Sequence, residues 1–253
     1  MKINILVALG AAILFASCGK DNVYSNDFST ATFVNASPGP PTLSLNVLID
    51  TIGQGPGIPF RFSTQQLSVA PGTRAILLRS PNAIPAGTFT NFVTLPAEVF
   101  VTNKSYTYFV YDVPPSPGVG PLKTLRLEDD FKTVADGSIK IRFVPVATGA
   151  VPSDVTFLRN APTGPSDSIT ISNLSYVGAN PTAATLEALA KYVVISGPGT
   201  ITIKMKNAGT QVVTATTTFS ALFAGVNKGI FTAYSVGGTT GFPLGISVFR
   251  QFP

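Results

Sequence analysis

Histidine and tryptophan are absent from the 253 residues, cysteine occurs once, and charged side chains make up only 11% of the chain. Without histidine, serine-histidine and cysteine-histidine nucleophilic chemistry is excluded within a lone chain. The commonest general base and the usual zinc ligands are missing too. Without Lys2, which lies in the first residues of the chain, 16 basic and 12 acidic residues leave a formal charge of +4. Lys104, Lys123, Arg126, Lys132, Lys140 and Arg142 are spread out and form no dense block. Nucleic-acid binding needs a concentrated basic stripe, so no nucleic-acid partner is expected. No cofactor and no metal site is expected either.

The single cysteine, Cys18, stands directly behind an apolar run from Ile3 to Phe15 whose only polar member is Asn4. A positive start, an apolar segment and small residues before a cut have the form of a secretory signal, here residues 1–17. The run of about 13 residues is too short to span a bilayer, which takes roughly 20. The order Phe15-Ala16-Ser17-Cys18-Gly19 resembles the bacterial lipobox, with Phe15 where leucine is usual. That resemblance implies a mature chain that begins at Cys18, with its thiol consumed as a thioether carrying acyl chains such as palmitate. Its membrane partner is then lipid, and its affinity comes from buried CH₂ groups. Gly19 is not the aspartate that resembles an inner-membrane retention signal, so an outer membrane is expected, on the periplasmic side or the cell surface.

Threonine, valine, isoleucine, phenylalanine, proline and glycine dominate the rest, a mixture that favours β-structure punctuated by turns. Residues 18–29 are polar and aperiodic, as in a tether. Strand candidates follow at 31–38, 43–49, 63–70, 73–79, 89–95, 106–111 and 122–127. In the second of these Leu43, Leu45 and Val47 alternate onto one face. Pro38-Gly39-Pro40-Pro41, Gly53 to Pro59 and Pro114 to Pro121 read as long turns.

Much the same order recurs after Asp136-Gly137-Ser138. Ile139 to Val146 repeats the first strand with Phe-Val shared, and Pro198-Gly199-Thr200 matches Pro71-Gly72-Thr73. Asn227-Lys228 precedes Ile230 to Tyr234 as Asn103-Lys104 precedes Tyr106 to Val110. Separations from 110 to 127 residues suit a duplication with altered loops better than a fixed-period solenoid. The expectation is an all-β chain of two tandem sandwiches, residues 30–135 and 138–253, with a short helix in the second. That helix is placed at 182–191, with Asn180 as its cap and Pro181 at its first position. Leu186 and Leu189 would face a sandwich, Glu187 and Lys191 would meet on the wet side, and the helix would lie across an open end of the second unit.

Three motifs carry a family resemblance. Phe33-Val34-Asn35-Ala36-Ser37-Pro38 resembles the opening strand of the DUF4397 domain, a family of unknown function widespread in Bacteroidetes lipoproteins. Ala70-Pro71-Gly72-Thr73 is similar to its turn, and Lys104-Ser105-Tyr106-Thr107-Tyr108-Phe109-Val110 to its aromatic strand. The second half departs from the pattern, with Pro145-Val146-Ala147-Thr148 where Asn-Ala-Ser-Pro stands in the first. The resemblance implies a cell-envelope location and an immunoglobulin-like or transthyretin-like sandwich, and supplies no catalytic residue.

These observations favour a non-enzymatic envelope module, structural or protein-binding, whose recognition would fall on end loops or strand edges. A glycan-binding alternative would use Tyr106, Tyr108 and Tyr111, although Tyr106 and Tyr108 share a strand face and so also read as core. A fimbrial or assembly subunit would need a detachable strand, for which Leu244 to Phe252 is the candidate, read foremost as a plain closing strand. Paired-carboxylate hydrolysis comes last, because Asp112, Glu128, Asp154 and Asp167 are scattered. The run Glu128-Asp129-Asp130 reads as solvated surface.

Overall fold

The computed structural model describes residues 27–39, 44–81, 88–113, 122–132, 134–161, 166–178, 180–197, 199–220 and 228–251. Cys18, the signal at 1–17, most of the tether, Pro40-Pro41 and the 114–121 turn lie outside these residues.

In the first half run β1 (Ser29–Asn35), β2 (Asn46–Ile49), β3 (Ile52–Gly53), β4 (Leu67–Val69), β5 (Gly72–Pro81), β6 (Phe89–Phe100), β7 (Ser105–Tyr111) and β8 (Lys123–Asp129). The second half continues with β9 (Ser138–Val144), β10 (Ser153–Asn160), β11 (Asp167–Leu174), α1 (Ala183–Ala190), β12 (Val193–Ser196) and β13 (Thr200–Asn207). It closes with β14 (Val213–Ser220), β15 (Lys228–Val236) and β16 (Gly245–Gln251). The strands form four sheets of four, β4-β1-β7-β8 and β3-β2-β5-β6, then β12-β9-β15-β16 and β11-β10-β13-β14. Strand for strand, the second pair repeats the first. Even the parallel pairing recurs, β1 on β7 with Phe33 beside Tyr108, and β15 on β9 with Phe231 beside Ile141.

Each half packs its two sheets over one apolar core, as a sandwich does. Phe33, Tyr106, Tyr108 and Val110 meet Val47, Leu78 and Phe92 in the first, where Phe33 stacks on Tyr108 at 5.0 Å. Ile141, Phe143 and Phe231 meet Phe157, Ile203 and Met205 in the second. The outer strand β10 reads buried and half-buried in alternation, whereas every residue of β9 is buried. Full burial means that both faces of the β9 sheet are covered, which is the usual condition of strands paired in parallel.

A third apolar cluster covers that other face, and it belongs to both halves. Val34, Phe109, Tyr111, Leu125 and Leu127 from the first pack with Val144, Val146, Tyr234 and Val236 from the second. The two tandem sandwiches are thus joined through their inner sheets, which lie back to back and share a core. Alternation along β1 explains the arrangement, because Phe33 points into its own sandwich and neighbouring Val34 into the shared layer.

The helix forms within the expected stretch, at Ala183–Ala190, but its cap and its neighbours differ. Its cap is Thr182, whose Oγ1 accepts from the Thr185 N–H at 3.2 Å, in place of Asn180. A cap oxygen accepts from the second or third helical N–H, and with the helix starting at Ala183 the residue placed for this is Thr182, not Asn180. Rather than crossing an end of the second unit, α1 lies against β8 and β9, one strand from each half. Leu189 enters the shared core with Leu186 beside it, while Glu187 and Lys191 pair at 3.2 Å in solvent, as their spacing requires. β6 runs on past Leu95 to Phe100 through Pro96, which an edge strand tolerates.

Candidate functional site

Tyr106, Tyr108 and Tyr111 lie on β7, in the middle of the molecule, and are 4%, 1% and 0% exposed. Tyr106 and Tyr108 face the first sandwich core, and Tyr111 faces the shared one. Their hydroxyls are engaged within the chain: that of Tyr106 accepts from the Val101 N–H at 3.4 Å. Tyr108 donates to Glu98 at 3.0 Å, and Tyr111 to the Gly178 carbonyl at 2.7 Å. No sugar-facing platform is formed by these three rings. Arg126 closes over Tyr106 at 4.0 Å, a cation-π contact, while its guanidinium also binds Glu98 at 3.2 Å.

Burial raises the pKa of Tyr108, Tyr111, Tyr192 and Tyr234 well above the usual phenol value. Unfolded phenols ionise near pH 10, so above that pH the unfolded chain releases protons that the native chain keeps. The stabilisation is full below about pH 10 and falls as pH rises further. In an alkaline titration read by tyrosinate absorbance, no more than three of the seven tyrosines should ionise before unfolding. Ionisation of all seven in the native state would contradict the packing.

The joint between the halves holds the polar residues that the sequence disguised. Asp129, expected at the surface, is buried, and its carboxylate pairs with the fully buried Arg142. Alternation along β8 separates it from Glu128, which points to solvent and pairs with Lys104. Arg142 Nε donates to Thr232 Oγ1 at 3.0 Å, and the guanidinium lies 4.9 Å from the Tyr192 ring centre. Thr232 in turn donates to Gln251 Oε1 at 2.7 Å, which also accepts from the Tyr192 hydroxyl at 2.9 Å. Gln251 Nε2 donates to Thr107 Oγ1 at 2.9 Å, and Thr107 donates to Asp129, also at 2.9 Å. The loop closes on itself across the two halves, so each buried charge has its partner.

A second joint forms around Asp112. Burial works to raise its pKa, but Lys123, the Val113 N–H and Thr148 outweigh that and hold it below the usual carboxylate value. Thr148, from the second half, donates to Asp112 Oδ1 at 2.9 Å. Little in the sequence marks these partners, since local periodicity does not say which strands face one another and most of these residues are individually ordinary. The one available signal was Arg142 within the apolar run from Ile139 to Val146, where a charge demands a buried partner.

Two of the surface clefts among the described residues set polar groups beside an aromatic ring. One, of about 580 Å³, is lined by Lys104, Ser105, Glu128, Asp130, Phe131 and Lys132 near the end of α1. Glu128 and Asp130 are paired with Lys104 and Lys140. The other, of about 490 Å³, lies in the loop from Gln54 to Leu67 and combines Pro56, Ile58, Pro59 and the 62% exposed Phe62 with Gln54 and Gln65. It includes part of the Gly53 to Pro59 turn. Asp112, Glu128, Asp154 and Asp167 are each held in a separate interaction, with Lys123, Lys104, the Asn173 and Gly209 N–H groups, and Arg159 respectively. Among the described residues no three His, Cys, Asp or Glu side chains gather as a metal site. No helix among them is long and apolar enough to cross a membrane.

No family model matches this chain, and no curated protein does. Among solved structures, a leucine-rich repeat protein from Bacteroides thetaiotaomicron is 10% identical over 83% of this chain and 26% of its own length, with a TM-score of 0.19. At that score the likeness carries no argument about fold or function.

Proposed function

We propose that this chain is a non-enzymatic envelope lipoprotein: a rigid double β-sandwich of immunoglobulin-like or transthyretin-like type, held by acylated Cys18 at an outer membrane, that binds a protein partner by shape. The DUF4397 resemblance belongs to the same reading and rests on its three motifs. The observation that carries the reading is the joint, where the least exposed charges and hydroxyls are consumed in holding the two halves together. Side chains committed to one another in a closed network are unavailable for bond-making chemistry, whereas a stiff body suits a spacer or recognition module.

The cleft from Gln54 to Leu67 is the recognition surface in this reading, because it sets an exposed aromatic between prolines and two amides. A sugar in that cleft would be the alternative ligand, with Phe62 in the place that the buried tyrosines vacate. The terminal strand β16 is paired along its length with β15, as β8 is with β7, which favours a closing strand over a detachable one.

The anchor is tested by mass spectrometry of the exported protein and by fractionation. A chain that starts at residue 18 with a lipid-modified cysteine is expected, and Cys18→Ser should move it from the membrane to the soluble fraction. An unmodified Cys18 in a membrane-free protein would refute the anchor. Binding is tested with envelope-protein and glycan panels, where Phe62→Ala should abolish the signal without changing thermal stability.

A further inference from the structure

The edges of the four sheets are not equally protected. β3, β4 and β12 are only 2, 3 and 4 residues long. β6 carries Pro96 and a register break, and the β6 carbonyl of Phe92 accepts from the Leu122 N–H at 3.1 Å, beside β8. β14 and β16 lie against each other across the second sandwich. β11 is different. It has eight residues, pairs with β10 alone among the described residues, contains no lysine, arginine or proline, and carries its one charge, Asp167, at its first position. Its topological counterpart in the first half is the two-residue β3, so the second half extends this edge where the first keeps it short.

The composition of β11 is also self-complementary. Ser168-Ile169-Thr170-Ile171-Ser172 reads the same in both directions about Thr170. Ser168 to Ile171 lie in the regular part of the ladder, and Ser172 stands at the break in register that Asn173, at φ 56°, accompanies. Ile169 and Ile171 are half-buried against the second core, while Thr170 is exposed and bonded to Thr156 on the outer face at 2.9 Å.

We propose that two copies of this chain associate through β11, antiparallel about a two-fold axis at Thr170, joining two four-stranded sheets into one of eight. A symmetric pair needs a surface that complements itself, and a palindromic antiparallel strand provides one. Ile169 of each copy stands across from Ile171 of the other and lengthens both cores. Ser168 stands across from Ser172, and the two Thr170 side chains meet on the axis. Backbone N–H and C=O groups along about 16 Å of edge, five residues at roughly 3.3 Å each, gain partners. This pairing does not depend on the lipid anchor or on the Gln54 to Leu67 cleft.

The test is sedimentation of the full chain, extracted in a non-denaturing detergent, over a range of concentrations. The native chain should shift from monomer to dimer. Thr170→Lys and Thr170→Glu each place like charges face to face on the axis and should weaken association by about tenfold or more. An equimolar mixture of the two should recover dimer, since opposite charges then meet, a result that misfolded variants would not give. A native chain that stays monomeric at its highest soluble concentration would overturn the proposal. So would a dimer unaffected by either variant, or a mixture that remains monomeric.

Discussion

Replacing Arg142 by alanine should destabilise the folded chain by about 3–5 kcal/mol, the range for removing one partner of a buried ion pair. The cause is what remains: Asp129, buried and stripped of its counter-charge, together with a Thr232 hydroxyl that loses its donor. For a chain of this size the thermal midpoint should fall by about 6–20 °C. The companion Asp129→Ala should cost a similar amount through a stranded guanidinium. The double replacement Arg142→Met with Asp129→Leu should cost much less than the sum of the single ones, because no charge is then left without a partner. Denaturant unfolding of the four proteins completes the cycle. Additive losses would mean that the two residues do not act as a pair and that the network does not hold the joint.

The second large effect is expected at Phe109, which is fully buried in the layer between the halves and meets Tyr234 edge-on with ring centres 5.5 Å apart. Phe109→Ala should cost about 3–5 kcal/mol, from lost burial plus the cavity left behind. Because the cavity opens between the halves, it should also loosen their coupling. Calorimetry of the native chain should show one cooperative transition, and the variant should show a broadened or divided one. A loss below about 1 kcal/mol with an unchanged single transition would mean that the halves do not depend on the shared core.

Much of the fold was legible because β-strands write their environment into an alternating pattern. Leu45 and Val47 were assigned to one buried face and occupy it, and Phe33, Tyr108 and Ile203 stand on strands read from the sequence. Those readings rest on period-two contrast, which survives wherever one face is wet. The strands β10, β11, β12 and β14 stand out less clearly from loops in the sequence. Their threonine- and serine-rich outer faces resemble loop composition, and β12 has only four residues. The tyrosines show the limit from the other side. An aromatic residue on a strand suits a binding face or a core equally well, and which of the two holds depends on whether another sheet covers it.

The joint was illegible for a different reason. Asp129 and Arg142 are only 13 residues apart, but they stand on sheets that meet face to face. Gln251 reaches Thr107 across 144 residues. Hydrophobic periodicity reports what lies on each face of a strand and says nothing about which strand lies opposite. Composition and local pattern were thus enough for the β class, the repeated strand order, the helix with its wet Glu187–Lys191 pair, and the exclusion of histidine chemistry. The back-to-back docking, the burial of Tyr106, Tyr108 and Tyr111 and the pairing of Arg142 with Asp129 came from long-range packing, since they depend on contacts between surfaces that local patterns leave unspecified.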